Sequence, residues 1–88
     1  MINSPKKYYV YIVECSDGSY YTGYTTDIKR RVNEHNFSTR SAKYTRSRRP
    51  VKLIHEEEYD TLSAALKREY AIKKLTKKAK KVLVESKK

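Results

Sequence analysis

The sequence predicts an α+β fold in which a small three-stranded antiparallel sheet is flanked by helices, in the order β-β-α-β-α-α. Two tyrosine-rich and β-branched segments surround an Asp-Gly turn, and a third such segment follows near the middle of the chain. Thr and Asp caps precede three helical patterns. With 88 residues, we expect a single domain over 1–88, with its core at about 8–75 and a basic C-terminal helix and tail at 76–88.

The first two strands form a hairpin whose register depends on the loop. A three-residue loop, Ser16-Asp17-Gly18 with glycine in the left-handed conformation, pairs residue 15 with 19, whereas a two-residue Asp-Gly turn pairs 16 with 19. A slip of one residue moves every side chain to the opposite face. We favour the three-residue loop, in which Tyr11 and Tyr21 share a face as diagonal neighbours.

The remaining elements follow from caps and patterning. The Thr25-Thr26-Asp27 segment supplies cap chemistry for the first helix, and a later helix starts at a cap at 60 or 61. Between the first helix and Pro50 lies a basic loop without acidic residues. The predicted strands are 8–14, 19–25 and 51–58, and the predicted helices are 27–36, 61 to about 74, and 76 to about 84.

Composition excludes several classes of function. The chain has 21 Lys and Arg against 10 Asp and Glu, a net charge of +11. Its apolar runs fall short of the roughly 20 residues that span a bilayer. Cys15 is the one cysteine, so neither an internal disulfide nor a cysteine zinc cluster can form. We expect a cytoplasmic protein with no membrane partner, whose binding partner is nucleic acid.

Three polar side chains lie on helix faces that periodicity assigns to the interior. Arg31 and His35 share the inner stripe of the first helix, and Glu69 lies on the face defined by Leu62, Ala65 and Leu66. One interpretation is structural: an Arg31–Glu69 ion pair at the core edge with His35 reaching outward. The other is a functional cluster, because buried charges require partners.

The basic segment is either a solvated loop or a surface that contacts phosphate. We favour phosphate contact because of the overall charge, and exposed aromatic rings beside cations can also stack on bases. The candidate nucleic-acid-binding residues are Lys43, Tyr44, Arg46, Arg48, Arg49 and Lys52.

An ordered set of motifs carries a family resemblance. Tyr9-Val10-Tyr11 stands ten residues before Tyr21-Thr22-Gly23; Arg31 follows eight residues after that glycine, His35 four residues later, and Glu69 far downstream. Over about residues 8–75 the set resembles the GIY-YIG nuclease superfamily, in particular its small stand-alone bacterial single-domain members. The resemblance implies a GIY-YIG-like fold.

The chain departs from the family pattern in small ways. The first motif is Tyr-Val-Tyr rather than Gly-Ile-Tyr, and Thr22 is the middle residue of the second. Tyr24 stands where some members have lysine, and the asparagine that many members carry near the domain end has no counterpart after Asn36. Neither tripeptide change replaces Tyr11 or Tyr21, the two tyrosines to which the resemblance gives a role in the reaction.

The resemblance implies a metal-dependent endonuclease that hydrolyses phosphodiester bonds in DNA, in repair or recombination. Glu69 would bind a single Mg²⁺ or Mn²⁺ completed by substrate phosphate and water, and Arg31 would bind phosphate oxygens. Tyr11 would be the general base, with its pKa depressed by the metal and Arg31, and Tyr21 would position the water or phosphate; the two tyrosines could exchange roles. His35 would assist proton transfer or hold the phosphate. The alternative is a non-catalytic nucleic-acid-binding module with the same fold.

Overall fold

The computed structural model describes residues 6–86 and has the predicted architecture of a three-stranded antiparallel sheet with flanking helices. The strands are β1 (Tyr8–Glu14), β2 (Tyr20–Thr25) and β3 (Lys52–Tyr59), and the helices are α1 (Ile28–Phe37), α2 (Lys43–Arg46), α3 (Leu62–Lys73) and α4 (Lys77–Glu85). The short helix α2 lies within the segment predicted as a basic loop. The first five residues and the last two of the predicted tail lie outside the described residues. No helix within 6–86 has both the length and the apolar character needed to cross a bilayer.

The hairpin has the predicted three-residue loop. The Cys15 amide donates to the Ser19 carbonyl at 2.8 Å, and Gly18 has a φ of 84° in the left-handed region that glycine tolerates. Consequently Tyr11 lies opposite Gly23 on β2. The strand order is β2-β1-β3, so β1 is the central strand.

Side chains of β1 alternate between two differently covered faces of the sheet. On the α3 face, Val10 and Ile12 are fully buried with Ala65 and Ile72 of α3 and with α4. On the α1 face, Tyr11 and Val13 are buried and pack with α1. Alternate residues of β1 therefore belong to two separate buried clusters, one on each face of the sheet.

Helix α3 is rotated relative to the prediction from periodicity. Ala65 and Ile72 are fully buried, whereas Leu62 and Leu66, predicted to face inward, are 40% and 38% exposed. On the side of the helix that meets the sheet, Arg68 Nε and Nη2 donate to the two carboxylate oxygens of Glu57 on β3 at 2.8 and 3.1 Å. This two-pronged contact and the packing of Ala65 and Ile72 both place the 65–68–72 face of the helix against the sheet.

Candidate active site

The Tyr11 ring lies against the backbone of β2 at Gly23, where there is no side chain. The tyrosine is 1% exposed. A Cβ at Gly23 would lie 2.5 Å from the Tyr11 hydroxyl oxygen and 2.7 Å from Cζ. Glycine is required there because the tyrosine ring occupies the space that any larger residue would fill.

The Tyr11 hydroxyl meets a buried histidine from α1. Its oxygen lies 2.7 Å from Nε2 of His35, which is fully buried, and the two ring centroids are 5.7 Å apart. The Tyr21 ring approaches the same imidazole edge-on at 5.4 Å. The two tyrosines predicted to share a face thus converge on His35.

The other nitrogen of the imidazole contacts α2. His35 Nδ1 lies 2.9 Å from Oγ1 of Thr45, which is fully buried, and that hydroxyl donates to the Ala42 carbonyl at 3.1 Å. Sequence reasoning assigned no role to Thr45, because this segment was interpreted mainly by its cations.

The protonation states of the pair are set mainly by burial. Burial raises the pKa of Tyr11 to about 12, although the Arg31 guanidinium acts in the opposite direction. Burial and the positive charge of Arg31 lower the pKa of His35 to about 4. Arg31 lowers the tyrosine pKa as expected, but the net pKa lies above its usual value because desolvation outweighs the nearby charge. Near neutral pH, a protonated phenol faces a neutral imidazole.

Arg31 and Glu69 do not pair with each other. Arg31 Nη1 donates to Glu34 at 2.9 Å, one turn along its own helix, while Glu69 pairs with Lys73 at 3.1 Å, one turn along α3. The purely structural interpretation is therefore wrong on both counts, because the ion pair is absent and His35 points inward. Glu69 nevertheless lies near enough to Tyr11 to raise the pKa of the phenol slightly.

Glu69 can contribute one ligand to a metal ion. Its side chain is 15% exposed, and its carboxylate oxygens are hard donors of the kind that Mg²⁺ and Mn²⁺ prefer. Within residues 6–86 there is no group of three or more His, Cys, Asp or Glu side chains arranged to hold a metal. This donor set fits an ion that takes one carboxylate and completes its shell with phosphate and water, and it does not fit an all-protein cage.

Two cavities open beside these residues. One of about 410 Å³ adjoins Arg31 and is lined by Tyr24, Thr25, Thr26, Arg30, Arg31 and Glu34. The other, of about 330 Å³, is lined by Asp17, Ser19, Tyr20, Tyr44, Lys77 and Lys80. Tyr44 connects the second cavity to the site, because its ring stacks on Tyr21 at 6.0 Å.

The arginines of the basic segment bind within the protein. Arg46 donates to the Thr39 carbonyl at 2.9 Å, and Arg48 donates to Asp17 at 3.1 Å while its guanidinium lies 4.0 Å above the Tyr44 ring. Arg49 donates to the His35 carbonyl at 2.6 Å. Lys43 and Lys52 are exposed. Phosphate contact by this segment stays a prediction, and its lysines are the freer candidates.

Comparison with known proteins identifies relatives over almost the whole chain. Residues 7–82 match the family model of the GIY-YIG catalytic domain. The UPF0213 protein of Haloquadratum walsbyi is 62% identical over 78 residues, covering 89% of this chain and 86% of its own. That of Halobacterium salinarum is 57% identical over 76 residues, covering 86% and 97%.

Two solved structures resemble this one. The solution structure of the UPF0213 protein BH0048 from Bacillus halodurans has a TM-score of 0.61 and 46% identity, covering 92% of this chain and 85% of that one. The solution structure of EF2693 from E. faecalis has a TM-score of 0.64 and 50% identity, covering 98% and 90%. These names state no substrate, metal or pathway.

Proposed function

The chain belongs to the GIY-YIG catalytic domain family, and we propose that it is an endonuclease. Members of this family belong to a nuclease superfamily that acts on nucleic acid. This protein hydrolyses phosphodiester bonds in DNA with one Mg²⁺ or Mn²⁺, in repair or recombination. The observation that carries the proposal is the buried contact between the Tyr11 hydroxyl and His35 Nε2 at 2.7 Å. This contact gives a phenol of high pKa a neutral base to which it can pass its proton.

The proton path follows from the two pKa values. Tyr11 keeps its proton at neutral pH, and His35 is unprotonated. As a water attacks phosphorus, its proton moves to the Tyr11 oxygen while the phenol proton moves to His35 Nε2. The new P–O bond forms as the bond to the leaving oxygen breaks, and the imidazole ends the step protonated. Tyr21, which is half-buried and packs on the same imidazole, would position the water or the phosphate.

Charge on the phosphate is handled by Arg31 and Glu69. The Arg31 guanidinium is 23% exposed beside the 410 Å³ cavity and would bind a phosphate oxygen. Glu69 would hold the divalent ion, which when bound would neutralise charge developing on the phosphate and leaving oxygen. Lys73, which pairs with Glu69 in the resting protein, would release the carboxylate when the ion binds.

The test is a cleavage assay with labelled duplex, single-stranded and branched DNA, in Mg²⁺, in Mn²⁺ and in chelator. We expect ion-dependent cleavage by the wild type and none by Glu69→Gln, which removes charge with little change in shape. Glu85→Gln, an exposed glutamate of α4, is the matched control and should cleave normally. Equal cleavage by Glu69→Gln and wild type would remove Glu69 from the mechanism.

The second candidate is a nucleic-acid-binding module without catalysis. Two observations favour it: Tyr11 is only 1% exposed, and Glu69 is occupied by Lys73. Tight DNA binding by the wild type with no cleavage in either ion, on any of the substrate shapes, would establish this function in place of the first.

Substrate binding would extend from the site toward α4. The 330 Å³ cavity carries Lys77 and Lys80, and it reaches His35 through the stacked rings of Tyr44 and Tyr21. Lys77 also lies 5.0 Å over the Tyr20 ring, which holds its ammonium group in place before any phosphate arrives. We therefore expect a DNA strand to pass over this cavity.

Two double variants with the same net charge test whether DNA passes over this cavity. Lys77→Gln with Lys80→Gln should reduce the salt dependence of binding by roughly 0.7 to 0.9 per lost phosphate contact. Lys78→Gln with Lys81→Gln removes the same charge from exposed lysines that do not line the cavity. Identical salt slopes for the two variants would exclude a specific path over the cavity.

A further inference from the structure

We propose that Thr45 is a positioning residue that holds the His35 imidazole with its proton on Nδ1, so that Nε2 faces Tyr11 as a proton acceptor. The inference rests on the proposed function for its catalytic meaning, but the tautomer itself is independent of whether DNA is cleaved. Nothing in the family match or in the names of the relatives assigns a role to this residue.

Counting hydrogens along the buried chain gives the tautomer. The chain consists of Tyr11 Oη to His35 Nε2 at 2.7 Å, His35 Nδ1 to Thr45 Oγ1 at 2.9 Å, and Thr45 Oγ1 to the Ala42 carbonyl at 3.1 Å. Each contact needs one hydrogen. The Ala42 carbonyl can only accept, so the Thr45 hydroxyl uses its one hydrogen there and must accept from Nδ1. A neutral imidazole with its proton on Nδ1 leaves the lone pair of Nε2 directed at the phenol.

The same tautomer of His35 follows from the hydrogen-bonding needs of Tyr11. A protonated Tyr11 requires an acceptor, and Nε2 is the atom in hydrogen-bonding contact with its oxygen. With the proton on Nε2 instead, the imidazole would donate to the tyrosine and could take nothing from it. Thr45 and His35 are fully buried, so bulk water is not at hand to replace a lost partner.

The basic segment fixes Thr45 at this position. The Thr45 amide donates to the Ala42 carbonyl at 3.1 Å, and the Thr45 carbonyl accepts from the Arg48 amide at 3.0 Å. Arg49 connects α1 to the segment that leads into α2, because it donates to the His35 carbonyl at 2.6 Å and to Ser41 Oγ at 3.0 Å. Two residues selected from the sequence as phosphate ligands therefore also help to hold the imidazole and its partner in register.

The experiment compares wild type, Thr45→Val and Thr45→Ser. Valine keeps the branched shape and removes the hydroxyl, whereas serine keeps the hydroxyl and removes a methyl group. Nitrogen-15 NMR of labelled imidazoles reports which ring nitrogen of His35 carries the proton, with His35→Gln used to assign the signals. We expect an Nδ1-protonated ring in wild type and Thr45→Ser, and loss of that preference in Thr45→Val.

Cleavage should follow the tautomer. We expect Thr45→Val to lower the rate roughly a hundredfold, the scale of one misdirected proton transfer, and Thr45→Ser to recover most of it. A wild-type ring protonated on Nε2 would overturn the proposal, even if Thr45→Val fails to fold. So would a folded Thr45→Val with the wild-type tautomer and rate. A wild type that cleaves no DNA would defeat the endonuclease proposal, while the NMR result would still decide the role of Thr45.

Discussion

The two faces of the sheet share the central strand β1, which contributes two fully buried aliphatic side chains to one face and a buried tyrosine hydroxyl to the other. The α3 face joins Val10 and Ile12 to Ala65 and Ile72, all apolar and fully buried. The α1 face places the hydroxyl of Tyr11 against His35, and His35 against Thr45. Burying polar atoms is costly unless each has a partner, and each of these three side chains has one.

The two faces also use charge differently. Beside the α3 face, Glu57 accepts hydrogen bonds from Arg68, Tyr59 and His55 and remains ionised. On the α1 face, the chain from Tyr11 to Thr45 is neutral at pH 7. A neutral chain can move a proton without first breaking an ion pair, whereas the network around Glu57 is suited to fixing β3 against α3.

The largest effect expected on stability is on the α3 face. Ile72→Ala removes a fully buried side chain between α3 and β1 and should lower the free energy of unfolding by about 2–5 kcal/mol. Urea denaturation measures the change. The cleavage rate per folded molecule, measured at low temperature, should stay near that of the wild type.

Leu66→Ala is the control for this prediction. Leu66 lies on the same helix but is 38% exposed, so its truncation should destabilise much less. Equal losses for the two variants would mean that α3 buries the 62–66 stripe rather than the face that contains Ala65 and Ile72.

The largest effect expected on activity is on the α1 face. Tyr11→Phe removes the oxygen that contacts His35 Nε2 and should reduce the rate constant for cleavage at least about a hundredfold, with binding of DNA retained. Single-turnover assays separate the two quantities. Tyr70→Phe, at a ring that is 63% exposed on α3, is the matched control. If Tyr11→Phe cleaves normally and Tyr21→Phe does not, the general base is Tyr21.

Substitution of Gly23 should lower both the free energy of unfolding and the rate of cleavage. A Cβ there lies 2.5 Å from the Tyr11 hydroxyl oxygen, and the enclosed ring has little room to move. We expect Gly23→Ala to destabilise the protein by about 1–3 kcal/mol and to displace the phenol from His35. Loss of the hydrogen-bonded Tyr11 contact in a structure of the variant, together with loss of cleavage, would demonstrate the displacement.

Gly18→Ala provides the contrast. That glycine has a φ of 84° but nothing within 4 Å of its added Cβ, so alanine should destabilise by about 1 kcal/mol through backbone strain alone. Its cleavage rate per folded molecule should be unchanged. A similar loss of cleavage in both variants would trace the effect of Gly23→Ala to general destabilisation.

Local chemistry explains why much of the fold was predictable from the sequence. The side chains of Asp27, Thr61 and Thr76 each accept a hydrogen bond from the first turn of a helix, as their residue types predict. The register of the hairpin follows from Gly18, which supplies the left-handed conformation that a three-residue loop needs. Both features depend on residues a few positions apart.

The features that sequence reasoning missed depend on distant contacts. The orientation of α3 includes a contact between Arg68 and Glu57 on another element, which helical periodicity cannot predict. Helix α2 has four residues, too few for a propensity signal. The contact of Thr45 with His35 depends on the position of α2, so its role could not be predicted from the sequence.

The dependence of stability on pH separates the two faces of the sheet by the pH at which each weakens. Burial lowers the pKa of His35 from its ordinary 6.5 to about 4, so the unfolded chain takes up this proton first. The contribution to stability is complete above pH 6.5 and is lost as the pH falls toward 4. For Glu57, burial raises the pKa, but hydrogen bonds from Arg68, Tyr59 and His55 outweigh it and lower the pKa from 4.5 to about 2.

The contribution of Glu57 is therefore complete above pH 4.5 and is lost between 4.5 and 2. Urea denaturation from pH 7 to pH 3 should show His35→Gln without the decline between 6.5 and 4, and Glu57→Gln without the decline below 4.5. Each proton contributes a slope of at most about 1.4 kcal/mol per pH unit. If His35→Gln keeps the full decline above pH 4.5, then folding does not lower the pKa of His35, and the value of about 4 used for the proton path is wrong.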